Sequence, residues 1–145
     1  MAPFDREHIA RRQPVELLDQ SALPEHTLDL VNGVQMFWAG GCTSCHAKSA
    51  AKGGGRLKLG GGDGLNTPFG TFYPSNISPD RKDGIGACSD DDIVFLLSNG
   101  LKPNFEVIGG PMGEVQRNLT KLPPSDLIAL TRYLKSVAPI APPSN

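Results

Sequence analysis

Apolar residues recur at helical spacing in three separated windows, and the residues around them carry the marks of helix ends. In residues 24–39, Leu30, Gly33, Val34 and Phe37 fall at i, i+3, i+4 and i+7. Pro24 fits a first helical turn, Glu25 suits the positive end of the helix dipole, and Gly40-Gly41 stops the run. Gly33 costs about 1 kcal/mol relative to Ala inside a helix. On the apolar face it predicts the close approach of a second helix. Residues 89–99, SDDDIVFLLSN, form the second window: Ser89 as N-cap, Asp90, Asp91 and Asp92 in the first turn, and Gly100 as the stop. Its buried stripe is Ile93, Leu96, Leu97 and Leu101. The third window, residues 124–137, is capped by Ser125 and presents Leu127, Leu130, Leu134 and Val137. No segment alternates well enough to predict a strand, and no internal repeat is evident.

Between these windows the pattern breaks down. Residues 47–88 carry three glycine clusters and few periodic apolar positions, a length unusual for a loop with no function. Leu57, Leu59, Leu65, Phe69, Phe72, Tyr73 and Ile77 give that segment enough apolar side chain to pack on something, so it is expected to be ordered. Residues 101–122 read as a second loop, with Met112 between Pro111 and Gly113. Residues 1–23 read as an N-terminal extension, with one short helix around Val15–Leu18; residues 24–139 form the domain, and residues 140–145 a tail. The expected class is all-α, with about three main helices joined by long Gly/Pro-rich loops.

Composition changes the picture in one respect. At 145 residues the chain suits a single domain, yet its hydrophobic share is only 39% while it holds 17 glycines and 13 prolines. Such a chain stays loose or wraps around something that supplies apolar surface. The net charge of −1 offers no footprint for nucleic acid. No apolar run reaches the length of a membrane span. The first twenty residues hold arginines with no apolar stretch behind them, and Arg11-Arg12 makes no convincing twin-arginine signal. A mature chain without its export signal is expected.

The candidate chemistry lies in Cys42-Thr43-Ser44-Cys45-His46. A thioredoxin-like dithiol needs a βαβ setting, whereas this motif follows a helix and precedes a glycine-rich loop. A zinc site needs four ligands, and the other histidines, His8 and His26, both precede the first helical stripe. The third reading is covalent haem attachment. Two thiols three residues apart reach the two vinyl groups of neighbouring pyrroles, and the histidine that follows reaches the iron. A sixth ligand is then sought among the methionines. Met36 falls within the first helix, where packing is the expected fate. Met112, between proline and glycine, is the candidate; a thioether opposite an imidazole favours reduced iron. Two other patterns fail. In PDRKDGIGACSD, lysine and arginine stand where calcium needs oxygen, and GGGDG lacks the lysine and helix start of a phosphate loop.

Taken in order, the stretches NGVQMFWAGGCTSCHA, TPFGTFYPSNISPDRKDGIG, SDDDIVFLLSNG, GGPMGEV and LPPSDLIALTRYLKSVAP resemble class I cytochrome c domains. They most resemble the cytochrome c subunits of bacterial membrane-bound alcohol, aldehyde and gluconate dehydrogenases, over residues 27–139. The resemblance implies the cytochrome c fold around one covalent haem c. It implies Cys42 and Cys45 as thioether anchors, and His46 and Met112 as axial ligands of the iron. It also implies a crossing of the first and last helices, with Gly33 and Phe37 meeting Tyr133 and Leu134. Tyr73 and Asn76 would line the haem edge, with Arg56 and Arg81 as weaker partners for a propionate. The chain departs from those subunits in having one haem motif and no anchor, which suits a free single-haem carrier or one domain of a longer chain. Cys88 stands where the family often has tryptophan.

The expected function is one-electron transfer between redox proteins, a periplasmic or membrane-bound dehydrogenase and a terminal oxidase or other acceptor, with no catalytic residue. The expected location is the periplasm. The alternative is a haem enzyme or gas-binding sensor in which Met112 is absent from the iron or displaceable. Glu106 and Glu114 are the acids nearest Met112 in sequence. A haem-free binding module is a third reading, and it would leave a glycine-rich chain without a core.

Overall fold

The computed structural model of the protein describes residues 25–142. The expected extension at residues 1–23, its helix around Val15–Leu18, and residues 143–145 of the tail lie outside the described residues. The order of elements is α1 (Glu25–Ala39), α2 (Cys42–His46), a 3-10 turn (Ala50–Lys52), β1 (Leu65–Thr67), β2 (Gly70–Phe72), α3 (Asp90–Asn99), α4 (Gly110–Leu119) and α5 (Pro124–Ser136).

The first and last long helices make the most extensive contact in the molecule. Gly33 is its pivot. A Cβ at that position would run into the Ala129 carbonyl oxygen and lie 2.7 Å from Tyr133 Cβ. The missing side chain lets the two backbones approach, as the sequence predicts. One turn on, Phe37 is fully buried; its ring meets Tyr133 at 5.2 Å and Trp38 edge-on at 5.1 Å. Met36, Leu127, Leu130 and Leu134 complete this side of the core, and Ile93 and Leu97 bring in α3. Met36 therefore packs in the core, the fate expected of it. Loop residue Leu59 is fully buried in the same cluster, so the glycine-rich segment is ordered against the helices.

Helix α3 begins and ends where its punctuation predicts. Asp92 N–H donates to Ser89 Oγ at 3.1 Å and Ser89 N–H donates to Asp92 Oδ2 at 3.2 Å, a reciprocal capping box. Gly100, at φ 74°, closes the helix. Helix α5 differs from expectation at its start. Ser125 is not its cap: Pro123 occupies that position and Pro124 opens the helix, where a missing N–H costs nothing.

Two further elements depart from the reading of the sequence. Residues 65–72 form an antiparallel hairpin pairing Leu65 with Phe72, Asn66 with Thr71 and Thr67 with Gly70. Its strands are three residues long and β2 is exposed throughout, so it leaves no alternation to detect. Thr71 Oγ1 to Asn66 Oδ1 and Thr67 Oγ1 to Gly70 O, both 2.8 Å, tie it locally. The segment expected to be one loop from 101 to 122 contains helix α4. Its glycines and proline read as breakers, but Pro111 sits in the first turn. Gly113 is buried, and Gln116 Nε2 donates to Leu97 O at 3.1 Å, docking α4 on α3. Among the described residues no helix is long and apolar enough to cross a membrane.

Candidate functional site

The motif forms its own short helix. Gly41, at φ 66°, turns the chain out of α1, and α2 runs from Cys42 to His46. Residues three and four apart share a helical face, so this turn groups Cys42, Cys45 and His46 on one side. Thr43 and Ser44 are tied to backbone carbonyls. Thr43 Oγ1 donates to Arg56 O at 2.7 Å, and Ser44 Oγ donates to Gly41 O at 2.6 Å. The Arg56 guanidinium lies over the Trp38 ring at 4.7 Å, and Arg81 is exposed.

His46 is 8% exposed. Its Nδ1 lies 2.7 Å from the Ser75 carbonyl oxygen. A carbonyl only accepts, so Nδ1 carries the proton and Nε2 presents a lone pair. Burial holds the imidazole pKa below its ordinary value, against the opposing pull of the Ser75 carbonyl. The ring is therefore neutral at pH 7, the form that binds a metal. The backbone of His46 is held as well, since Gly61 N–H donates to its carbonyl at 3.1 Å. Next to it, Gly62 passes so close to Cys45 that any Cβ would strike the Cys45 carbonyl oxygen.

The three cysteines are free thiols. Burial pushes the Cys42 thiol up to about 11; a backbone hydrogen bond pulls it down by less, and Cys45 adds a smaller upward push. This is opposite to the depressed value of a thioredoxin-type nucleophile. The short hairpin nearby belongs to no βαβ unit, so the redox-dithiol reading has neither its fold nor its electrostatics. Among the described residues, no group of three or more His, Cys, Asp and Glu side chains is arranged to hold a metal ion. His8 lies outside the described residues. A recess of about 340 Å³ beside α2 touches Cys45 but neither Cys42 nor His46.

The remaining predicted positions are distributed differently. Met112, expected in a free loop, is the third residue of α4 and half-buried. Just ahead of it Gly110 lies against the Phe72 ring, where a Cβ would be 2.7 Å from Phe72 Cε1. Phe72 and Ser75 are three residues apart, a span of at most roughly 11 Å. One short stretch thus connects the turn that bears Met112 to the carbonyl that holds His46. Tyr73 is 75% exposed within it. Asn76 is buried, and its amide is engaged inside the protein. Nδ2 donates to Asp83 Oδ2 at 3.1 Å and to Ile140 O at 2.8 Å, and Oδ1 accepts from Ser78 N at 2.9 Å. Both amide hydrogens have protein partners, which leaves none for a cofactor's edge.

A covalently attached haem suits this donor set. Two thiols and an imidazole with a free Nε2 share one face, and the Phe72 and Tyr73 rings offer exposed apolar surface in the strand alongside. The sequence alone misses Ser75, Gly61 and Gly62. Their contributions are a backbone carbonyl, a backbone N–H and an absent side chain, and only the glycine cluster hints at a close approach.

No family model matches the chain. It is 51% identical over 71 residues, 49% of its length, to a diheme cytochrome c-type protein of Cereibacter sphaeroides. It is 35% identical over 110 residues, 75% of its length, to the gluconate 2-dehydrogenase cytochrome c subunit of Pantoea cypripedii. Over 116 residues, 74% of its length, it is 30% identical to the cytochrome c subunit of a quinone alcohol dehydrogenase from Gluconobacter oxydans. It spans 24%, 23% and 22% of these relatives, about a quarter of their length.

Proposed function

Because the chain resembles the cytochrome c subunits of bacterial dehydrogenases, we propose that it is a c-type cytochrome domain that carries single electrons. The observation that carries this reading is the grouping on α2 of Cys42, Cys45 and a neutral His46 whose Nδ1 proton is committed to Ser75. Cys42 and Cys45 would hold the haem, each thiol S–H adding across one vinyl C=C to give a thioether. His46 Nε2 would bind the iron, and the Ser75 carbonyl fixes its tautomer and raises its basicity. Met112 would supply a second ligand to the iron, and the Phe72–Gly110 contact next to it supports that pairing. When bound, the haem supplies a reversible one-electron change at iron. The chain's part is to exclude water, hold both ligands rigid and keep the reorganisation small.

One Cys-x-x-Cys-His motif implies one haem in this chain, although one relative is named as a diheme protein. With both axial positions filled by the protein, no position remains for a substrate. The partners on this reading are a dehydrogenase as donor and an oxidase or other acceptor, in the periplasm. Phe69 and Phe105, 92% and 85% exposed, support a mainly apolar docking face. Extraction in acidified organic solvent tests the attachment. The colour stays with the polypeptide if Cys42 and Cys45 are anchors; free haem in the extract refutes it.

A further inference from the structure

The residues that follow α5 do not trail away. Ile140 is joined to the loop beside His46 through both of its backbone groups. Its N–H donates to Ser78 Oγ at 2.9 Å, and its carbonyl accepts from Asn76 Nδ2 at 2.8 Å. The separations along the chain are 62 and 64 residues, so this is a tertiary tie and not a local turn. Ser78 is fully buried and its Oγ also receives Asp80 N–H at 3.4 Å. Asn76 is further held by Asp83 Oδ2 and by Ser78 N. The Ile140 side chain presses on Gly60, where a Cβ would be 2.6 Å from Ile140 Cγ2. Ile77 and Ser78 N–H both donate to Leu59 O, at 2.9 and 3.2 Å, and Gly62 N–H donates to Pro74 O at 3.0 Å. Segments 59–62 and 74–78 are thus one clasp with Ile140 across it. That clasp holds His46 from two sides, the ring through Ser75 O and the backbone through Gly61 N–H.

We propose that Asn76 and Ser78, tied to the backbone of Ile140, form a strap that positions the His46 imidazole by holding the Ser75 carbonyl against its Nδ1. Ser75 contributes only a backbone carbonyl, which has no side chain to fix its direction. That carbonyl lies in the planar peptide joining Ser75 to Asn76, and the Asn76 side chain anchors the far end of that peptide. Asn76 is therefore a positioning residue acting through Ser75. Outer partners of a metal-bound histidine typically matter about 10- to 100-fold in metal affinity or activity. The inference rests on the haem reading for its consequence at iron, and on the hydrogen bonds alone for its effect on the ring.

The test compares wild type with Asn76→Ala, with Ser78→Ala and with a chain ending at Pro139. Leu134→Ala, a core truncation that removes none of the clasp's hydrogen bonds, is the control for general loosening. Two readouts are taken: exchange of the His46 Nδ1 proton by nitrogen-15 NMR, and the reduction potential. The strap variants are expected to exchange that proton faster than wild type. Their potential shifts upward, because a weaker Nδ1 hydrogen bond makes the imidazole a poorer donor to oxidised iron. Leu134→Ala shifts neither. Unchanged exchange and potential in the strap variants overturn the proposal, and so do equal changes in Leu134→Ala. If Asn76→Ala does not fold, Ser78→Ala, which keeps the Asn76 amide, decides the matter. A wild type without covalent haem refutes the haem reading only; the strap is then judged from His46 proton exchange alone.

Discussion

Cys42 and His46 show what burial does to a reactive group at the scale of one residue. The same α2 turn that withdraws Cys42 from water keeps its thiol protonated up to about pH 11 and keeps His46 neutral. A buried thiol is a poor partner for disulfide exchange but keeps its place beside a covalent partner. Met112 has a setting the sequence does not foresee, a helix start and not the free loop expected. On the proposed ligation, Met112→Ala abolishes the iron–thioether charge-transfer band of the oxidised protein in the near infrared. A band that survives the substitution assigns the sixth position to another residue. The motif residues were legible because covalent attachment demands that spacing. Ser75 was not, because every residue offers a carbonyl. Asn76 was legible as a position of interest. Its amide turns inward to Asp83, Ile140 and Ser78, through contacts too distant in sequence to foresee.

Helices with strong end signals were the most readable elements. The Ser89 cap and Gly100 stop of α3 appear where the pattern places them, because a capping box is a local device. Ser89→Ala removes the acceptor for Asp92 N–H and is expected to cost about 0.5–2 kcal/mol, measurable by denaturant unfolding. The crossing of α1 and α5 was legible from the glycine on an apolar stripe. Gly33→Ala drives a methyl into the Ala129 carbonyl, a backbone atom that cannot swing aside. The expected loss is about 1–3 kcal/mol, with a lower midpoint in the same experiment. A variant as stable as wild type contradicts the close crossing. Helix α4 was not legible. Its glycines lower helix propensity, and what offsets them is tertiary: buried Gly113 and the Gln116 amide on Leu97 O. The hairpin at 65–72 escaped for a related reason, being held by side-chain hydrogen bonds with no buried face to produce alternation.

The whole molecule is a helical frame carrying a long glycine-rich segment on one side. The frame has its own apolar core in Met36, Phe37, Leu97, Leu127, Leu130 and Leu134. The segment buries Leu59 in that core, packs Ile77 and Ile85 against it, and leaves Phe69, Phe72 and Tyr73 exposed around the strand that leads to Ser75. Composition alone had indicated a chain in need of a partner surface, but not which face would receive it. Reduced protein with both axial positions filled binds carbon monoxide poorly; rapid binding favours the enzyme or sensor alternative. Attachment of one haem through Cys42 and Cys45 is checked by mass spectrometry of protein produced in a host with haem-attachment machinery. The intact chain should carry the mass of one haem, and the added mass should map to the peptide containing residues 42–46. An unmodified chain, or a haem mapped elsewhere, contradicts it.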